Sequence, residues 1–235
     1  MSVSRRQKPY RQDEMKAKCD VWRSDPAAGV KGSYSTYVLD VDPTETVLGI
    51  LVKINHGLDP GLAFRFACGV VKCGECAVEV NGSSCLACEK AAEEEMCIRP
   101  LPELPIIKDL VVDRRAIFER VLKRIPQLSQ IKESTGLKEL DPGGMDKFIR
   151  LTKCFECLMC QSACPLRPGI EEEFVGPLGL LWLGQMSLDP SKRPLIEHEI
   201  SASLEMCLQC GECSAACPCS EDIIGLAIDI LEKGK

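Results

Sequence analysis

Alternating apolar and polar residues predict a strand over Ser33–Asp42, which is rich in β-branched and aromatic side chains. The next segment, ETVLGILVKINHG, follows Thr44 and has apolar residues at helical spacing up to Gly57, which predicts a helix. Further along, AVEV runs into Asn81 and Gly82, the dipeptide most typical of a tight hairpin turn. The N-terminal part of the chain therefore alternates strands with one helix.

The rest of the chain has a helical pattern. LVVDRRAIFERVLKRI has apolar residues at helical spacing and mixed charge, which predicts a helix. Residues 126–144 are predicted to form a loop, and no strand-like alternation follows them. We therefore expect an α+β protein with an N-terminal extension over 1–32, a β-grasp domain over 33–110 and an α-helical domain over 111–235. The longest apolar runs, Val175–Met186 and Ile223–Leu231, are shorter than the ~18 residues of a membrane span, so none is expected.

Charge and composition exclude further classes. The 235 residues contain 29 Lys and Arg against 35 Asp and Glu, a net charge of −6, and no basic block, which argues against nucleic-acid binding. The polar N-terminus lacks the features of a secretory signal, so we expect a cytoplasmic protein with reduced thiols. Sixteen residues are cysteine, and reduced thiols in such numbers are usually metal ligands or catalysts rather than disulfides.

The first group of cysteines lies in FACGVVKCGECAVEVNGSSCLAC. Its spacing of four, two and eleven residues matches the plant-type pattern for a [2Fe–2S] cluster. Gly69 and Gly74 suit a loop that must fold around such a cluster and direct N–H groups at sulfur atoms. The predicted [2Fe–2S] ligands are Cys68, Cys73, Cys76 and Cys88.

The second and third groups repeat one motif. KCFECLMCQSACP and MCLQCGECSAACP both have the spacing CxxCxxCxxxCP, which is typical of bacterial [4Fe–4S] proteins. In two-cluster ferredoxins the fourth cysteine of each run binds the other cluster. We therefore predict two [4Fe–4S] sites. The ligands of the first are Cys154, Cys157, Cys160 and Cys217, and those of the second are Cys207, Cys210, Cys213 and Cys164.

Structural zinc is the main alternative for these motifs. Zinc sites usually contain two CxxC pairs separated by a longer loop, whereas here three cysteines fall within seven residues and the fourth precedes a proline, twice. The spacing therefore favours iron–sulfur clusters. Four cysteines remain and are interpreted as small buried residues: Cys19, Cys85, Cys97 and Cys219. Two of them, Cys85 and Cys219, lie close enough to Cys88 and Cys217 to replace them as ligands.

The order of the motifs resembles the iron–sulfur subunit of succinate dehydrogenases and fumarate reductases. The resemblance also includes FRFACGVVKCGECAVEVNG, LAC, RPLPELPIIKDLVVD (Arg99–Asp113) and FVGPLGLLWL, and it covers roughly Ser35 to Ile228. It implies an electron-transfer subunit with no catalytic residues of its own, one [2Fe–2S] and two further clusters, and FAD on a flavoprotein partner subunit. The resemblance also implies a second redox partner and peripheral association with the inner face of a membrane through partners.

Two positions differ from the resembled family. That family usually holds a [3Fe–4S] cluster at its last site, where Cys210 here completes a [4Fe–4S] motif similar to that of heterodisulfide reductase C-type subunits. Its quinone site uses a tryptophan and a histidine at the positions that Gly169 and Leu208 occupy here. The second partner is thus expected to be a membrane anchor or quinone protein, or a heterodisulfide-reductase-like subunit.

Three functions are compatible with these features. The first is the relay subunit of a succinate dehydrogenase or fumarate reductase-type complex. The second is the relay subunit of a heterodisulfide-reductase-like or other FAD-dependent oxidoreductase with a low-potential partner in place of a quinone, which Cys210 favours. The third is a free-standing ferredoxin-like carrier or a zinc-binding interaction module.

Overall fold

The first part of the chain forms a mixed five-stranded sheet in the order β2-β1-β5-β3-β4. β1 pairs antiparallel with β2 and parallel with β5, and β3 pairs antiparallel with both β4 and β5. The computed structural model describes residues 15–125, 142–166, 174–219 and 221–233. The strands of this sheet are β1 (Met15–Asp25), β2 (Val30–Val41), β3 (Ala77–Val80), β4 (Ser83–Leu86) and β5 (Glu95–Arg99).

The expectation of an N-terminal extension over 1–32 is wrong for its described part. β1 covers Met15–Asp25, lies between β2 and β5, and buries Ala17, Cys19 and Val21 completely. The alternation of these small apolar residues with Lys16, Lys18 and Asp20 is the period-two pattern of a half-buried strand. Small side chains between charged ones give only a weak signal of a strand.

The predicted helix and hairpin both form. Helix α1 covers Val47–Lys53, its N-cap Thr46 accepts the Gly49 N–H at 3.3 Å, and a π-helical turn, Ile54–Leu58, continues it. Its buried apolar residues share one core with the inward face of the sheet. At the turn between β3 and β4, Asn81 and Gly82 have φ angles of 50° and 81°, as a two-residue hairpin of type I′ requires.

A second, two-stranded sheet joins this core to the helices. It consists of β6 (Ile106–Lys108) and β7 (Val111–Val112), so the predicted helix over 110–125 starts later, as α2 (Arg114–Arg124) with Asp113 as its N-cap. Between the two strands the buried Asp109 accepts the N–H groups of Ser24 at 2.9 Å and Ala63 at 2.8 Å. This carboxylate ties the β6–β7 hairpin to β1.

The regular secondary structure of the remaining described residues is helical. The helices are α3 (Pro142–Leu151), α4 (Met159–Ala163), α5 (Gly176–Ser187), α6 (Glu197–Met206), α7 (Glu212–Ala215) and α8 (Ile223–Lys233). α5, which carries PLGLLWLGQM, is buried on nearly all sides and crosses α8, where a Cβ on Gly184 would lie 3.0 Å from that of Ala227. Of the predicted loop over 126–144, residues 142–144 begin α3 and residues 126–141 lie outside the described part.

None of the described helices has the length and apolar character that crossing a bilayer requires.

Candidate iron–sulfur sites

The loop from Cys68 to Cys76 is shaped by backbone in the left-handed region. Gly69, Val71 and Gly74 have φ angles of 66°, 56° and 67°, which coil the loop and turn its N–H groups inward. The Cys68 sulfur accepts the N–H groups of Val70 and Lys72, each at 3.4 Å. These hydrogen bonds lower the Cys68 pKa to about 7, because they favour the thiolate.

The other three predicted [2Fe–2S] ligands lie next to this thiol and to one another. Cys73 hydrogen-bonds to the Cys68 sulfur, and Cys76 interacts with both Cys88 and Cys73. The Ala87 N–H donates to the Cys76 carbonyl at 3.0 Å, which holds the segment before Cys88 against the loop. Burial raises the pKa of Cys76 to about 12. One partly exposed thiol with a lowered pKa and one buried thiol with a raised pKa therefore belong to the same group.

The two CxxCxxCxxxCP motifs fold alike. Glu156 and Gln209, each two residues after the first cysteine, have φ angles of 53° and 49°, and Leu158 and Gly211, each four residues after it, have 67° and 82°. A short helix then begins at the same place in each repeat, α4 at Met159 and α7 at Glu212. The shared backbone path supports interpreting the two motifs as copies of one binding loop.

The fourth cysteine of each motif lies with the other motif. Cys217 lines a narrow cavity together with three cysteines of the first run, Cys154, Cys157 and Cys160. A wider cavity of about 260 Å³ is lined by Cys164 and by three cysteines of the second run, Cys207, Cys210 and Cys213. This is the crossed pairing that two-cluster ferredoxins use. The ligand assignment stays a prediction, and the lining of both cavities supports it.

The thiols at the two cavities fit a cluster as donor sets. Within the described residues no three Cys, His, Asp or Glu side chains converge as closely as the ligands of one metal ion do. The ligands of a cluster surround several iron and sulfide atoms and stand farther apart. The Glu156 N–H donates to the Cys154 sulfur at 3.3 Å, the kind of backbone hydrogen bond that stabilises a ligating thiolate.

Burial keeps most of these thiols protonated until metal arrives. It raises the pKa of Cys154 and of Cys213 to about 11 each, and that of the fully buried Cys160 well above its usual value. Cys217 differs, because a hydrogen bond from the Cys219 side chain lowers its pKa to about 7. Since metal binds thiolates, loading of these sites must release protons.

The first thiol group touches the second through Gly74. A Cβ on this glycine would lie 2.6 Å from the Phe155 carbonyl oxygen and 2.9 Å from the Cys157 Cβ. Arg114, at the start of α2, forms an ion pair with Glu75 of one loop and donates to the Glu156 carbonyl of the other at 2.8 Å. Backbone packing and one guanidinium group thus hold the two loops together, an arrangement that the sequence alone did not reveal.

The four remaining cysteines have different surroundings. Cys19 is fully buried in β1, and burial raises its pKa to about 11; Cys97 lies in β5. Cys85 lies in β4 opposite Val78. Burial is the main cause of its raised pKa, and the charged side chains of Lys90, Glu89 and Glu93 make smaller contributions. Cys219 instead lines the same cavity as Cys217.

The cavity at the end of the series lies close to solvent. Cys210 is exposed, and Leu208 beside it is 62% exposed. Asp222, Asp229 and Glu232 also line this cavity. Gly169, at the position of the tryptophan in the resembled family, lies outside the described residues.

Two family models match the chain. One, described as a 2Fe-2S iron-sulfur cluster binding domain, matches residues 18–119, and another, a 4Fe-4S dicluster domain, matches residues 150–221. The succinate dehydrogenase iron-sulfur subunit of Paracoccus denitrificans is 31% identical over 85% of this chain and 80% of its own length. The chain belongs to the family of succinate dehydrogenase and fumarate reductase iron–sulfur subunits. Members of this family are components of oxidoreductase complexes, and the expected α+β fold with [2Fe–2S] and [4Fe–4S] domains is confirmed.

Two further relatives extend the comparison. A chain of the Mycobacterium smegmatis Sdh1 complex in the apo form superposes with a TM-score of 0.75 and 27% identity, covering 94% of this chain and 95% of that one. A subunit of the fumarate reductase (CoM/CoB) of Methanothermobacter marburgensis is 32% identical over 90% of this chain but 42% of its own length. The present chain therefore spans less than half of that longer relative.

Proposed function

We propose that this family member relays electrons one at a time between a flavoprotein subunit that carries FAD and a second redox partner, in either direction. When bound, one [2Fe–2S] and two [4Fe–4S] clusters would supply the one-electron steps of this relay. Their ligands would be the twelve cysteines of the three thiol groups, with no catalytic residue in the chain.

The observation that carries this proposal is that the three thiol groups adjoin one another in chain order. Gly74 brings the first group against Cys157 of the second. α4 contains Cys160, which lines one cavity, and is followed directly by Cys164, which lines the other. Electron transfer through protein proceeds over short steps and needs such closely spaced sites, whereas a set of structural zinc sites would not need to lie close together.

Anaerobic purification with bound partners tests the relay. We expect about ten irons per chain and a flavoprotein that co-purifies and reduces or oxidises the iron–sulfur chromophore with its substrate. A colourless protein with stoichiometric zinc would overturn the proposal. A chain that purifies alone, stable and redox-active, would favour a free-standing carrier.

A second candidate concerns the partner beyond the last site. Cys210 completes the last motif, Leu208 replaces the quinone-site histidine, and one relative is named as part of a fumarate reductase (CoM/CoB). These features favour a heterodisulfide-reductase-like or other low-potential partner over a quinone protein. Electron paramagnetic resonance of the oxidised protein tests the site: a [3Fe–4S] signal would mean that Cys210 is not a ligand.

We propose that the chain works in the cytoplasm, at the inner face of a membrane if its second partner is a membrane anchor. Fractionation of cells into membrane and soluble extracts, with the flavoprotein followed in parallel, tests this location.

A further inference from the structure

Five thiols, one more than a [4Fe–4S] cluster binds, surround the cavity of the first CxxCxxCxxxCP motif. They are Cys154, Cys157, Cys160, Cys217 and Cys219. The fifth lies two residues beyond Cys217, across Pro218, and its thiol and N–H both hydrogen-bond to the Cys217 sulfur. Cys154 and Cys157 are also near enough to Cys219 to interact with it electrostatically.

Contacts on both sides hold this fifth thiol at the cavity. The Cys219 sulfur also lies 3.3 Å from the Lys153 carbonyl oxygen, next to the first ligand of the motif. Glu221, two residues further on, forms ion pairs with both Lys153 and Arg150, the latter at 2.8 Å. The segment that carries Cys219 is thus tied to the segment that carries Cys154.

We propose that Cys219 is a reserve ligand of this [4Fe–4S] site, able to take the place of Cys217. In a protein that lacks Cys217, the Cys219 thiol gives its proton to solvent and its sulfur forms the fourth thiolate–iron bond. No electron is transferred in this exchange. The inference rests on the proposed function, since it requires a cluster at this site.

Cys85 provides a natural contrast. It lies three residues before a predicted ligand, Cys88, and so has a similar separation in sequence to that of Cys219 from Cys217. Cys85 lies in β4 opposite Val78 and has the charged neighbours Lys90 and Glu89, whereas the neighbours of Cys219 are ligand thiols. Cys85 is therefore not expected to replace Cys88.

Iron content and electron paramagnetic resonance of anaerobically purified holoprotein test the proposal. Cys217→Ala and Cys219→Ala should each keep about ten irons per chain, and Cys217→Ala should show an altered reduced [4Fe–4S] signal. The double variant should fall to about six irons, as should Cys160→Ala, while Cys88→Ala should lose the [2Fe–2S] signal. The [2Fe–2S] signal of the Cys217 variants verifies that the protein is folded.

Loss of four irons in Cys217→Ala alone would overturn the proposal, as would their loss in Cys219→Ala. If Cys217→Ala does not fold, Cys217→Ser replaces it, because serine keeps a hydroxyl group at this position. The reduced signal of the Cys217→Ser variant should then differ from that of the double variant Cys217→Ser/Cys219→Ala, and identical signals would refute a reserve ligand. Failure of the proposed function is distinct, since the unmutated protein would then lack the expected iron.

Discussion

Gly74 combines two constraints that only glycine satisfies. Its φ of 67° lies in the left-handed region, and its missing side chain lets the loop around Cys73 pack on the carbonyl of Phe155 and on Cys157. The sequence suggested this glycine because a cluster loop needs flexible backbone. The structure adds a second reason, the close approach of another thiol-bearing loop.

Gly74→Ala should therefore destabilise the protein more than a change at an ordinary turn glycine. The left-handed backbone costs about 1–2 kcal/mol with a side chain, and the clash with Phe155 and Cys157 adds roughly 1–3 kcal/mol. Gly82→Ala is the matched control, because Gly82 has a φ of 81° and open space around its missing Cβ. Denaturant unfolding of both holoproteins checks this, and equal losses would mean that the loops do not touch at Gly74.

At the scale of elements, the Arg114 side chain also holds the two loops that meet at Gly74 against each other. Its guanidinium group pairs with Glu75 and donates to the Glu156 carbonyl, and it lies 5.6 Å from the centre of the Phe118 ring. Its neighbour Arg115 is 86% exposed at its side chain and pairs only with Glu119 within the described ion pairs. The first residues of α2 thus include one arginine that joins elements and one that faces solvent.

Arg114→Leu should lower the thermal midpoint by about 4–8 °C, since losing a charge-assisted hydrogen bond and its ion pair costs roughly 2 kcal/mol in a domain of this size. Arg115→Leu should change it by less than about 2 °C, as expected for an exposed pair. Anaerobic calorimetry of the holoproteins measures both. Equal midpoints in the two variants would count against Arg114 as the link between the loops.

Helices α4 and α7 have five and four residues, too few to be stable without tertiary contacts. Each lies between thiols of the two cavities, whereas the sheet and α1 share a large apolar core that contains few cysteines. Iron should therefore stabilise the helical part of the chain far more than the sheet.

Removal of iron with a chelator should consequently reduce helical circular dichroism while much of the strand signal remains. Hydrogen exchange followed by mass spectrometry would locate the change, with α4, α7 and α8 losing protection and β1 keeping it. Uniform loss of protection in sheet and helices would mean that the sheet also depends on bound iron.

On the scale of the whole molecule, sequence patterns predicted the motifs, the hairpin and both kinds of domain. They missed β1, because Ala17 and Cys19 are weak apolar signals between charged residues, and they extended the α2 helix into Val111–Val112, which pair with β6. The crossing of Cys164 and Cys217 was expected from spacing. The contact at Gly74 was not, because it joins residues far apart in sequence through backbone atoms, which leave no pattern in side chains.

The distribution of charge over the molecule is also uneven. Residues 194–232 contain acidic side chains but no Lys or Arg, and this segment carries three of the four thiols of the last site, Cys207, Cys210 and Cys213. Asp222, Asp229 and Glu232 line its cavity beside the exposed Cys210. A field of one sign at a solvent-exposed redox site attracts oppositely charged partners and repels like-charged ones.

A cationic complex such as hexaammineruthenium(III) should therefore oxidise the dithionite-reduced holoprotein faster than the redox driving force of the reaction alone predicts. This excess in rate should shrink as salt is added. Asp229→Asn/Glu232→Gln, which neutralises two carboxylates of this acidic rim, should slow this oxidation by at least about twofold at low ionic strength, because local charge alters such rates by roughly 10-fold or more. Asp40→Asn/Glu94→Gln, which removes the same net charge from the β-grasp domain, is the control. Stopped-flow absorbance gives the rates, and equal slowing in both double variants would show that net charge, not the acidic rim of the last site, governs encounter.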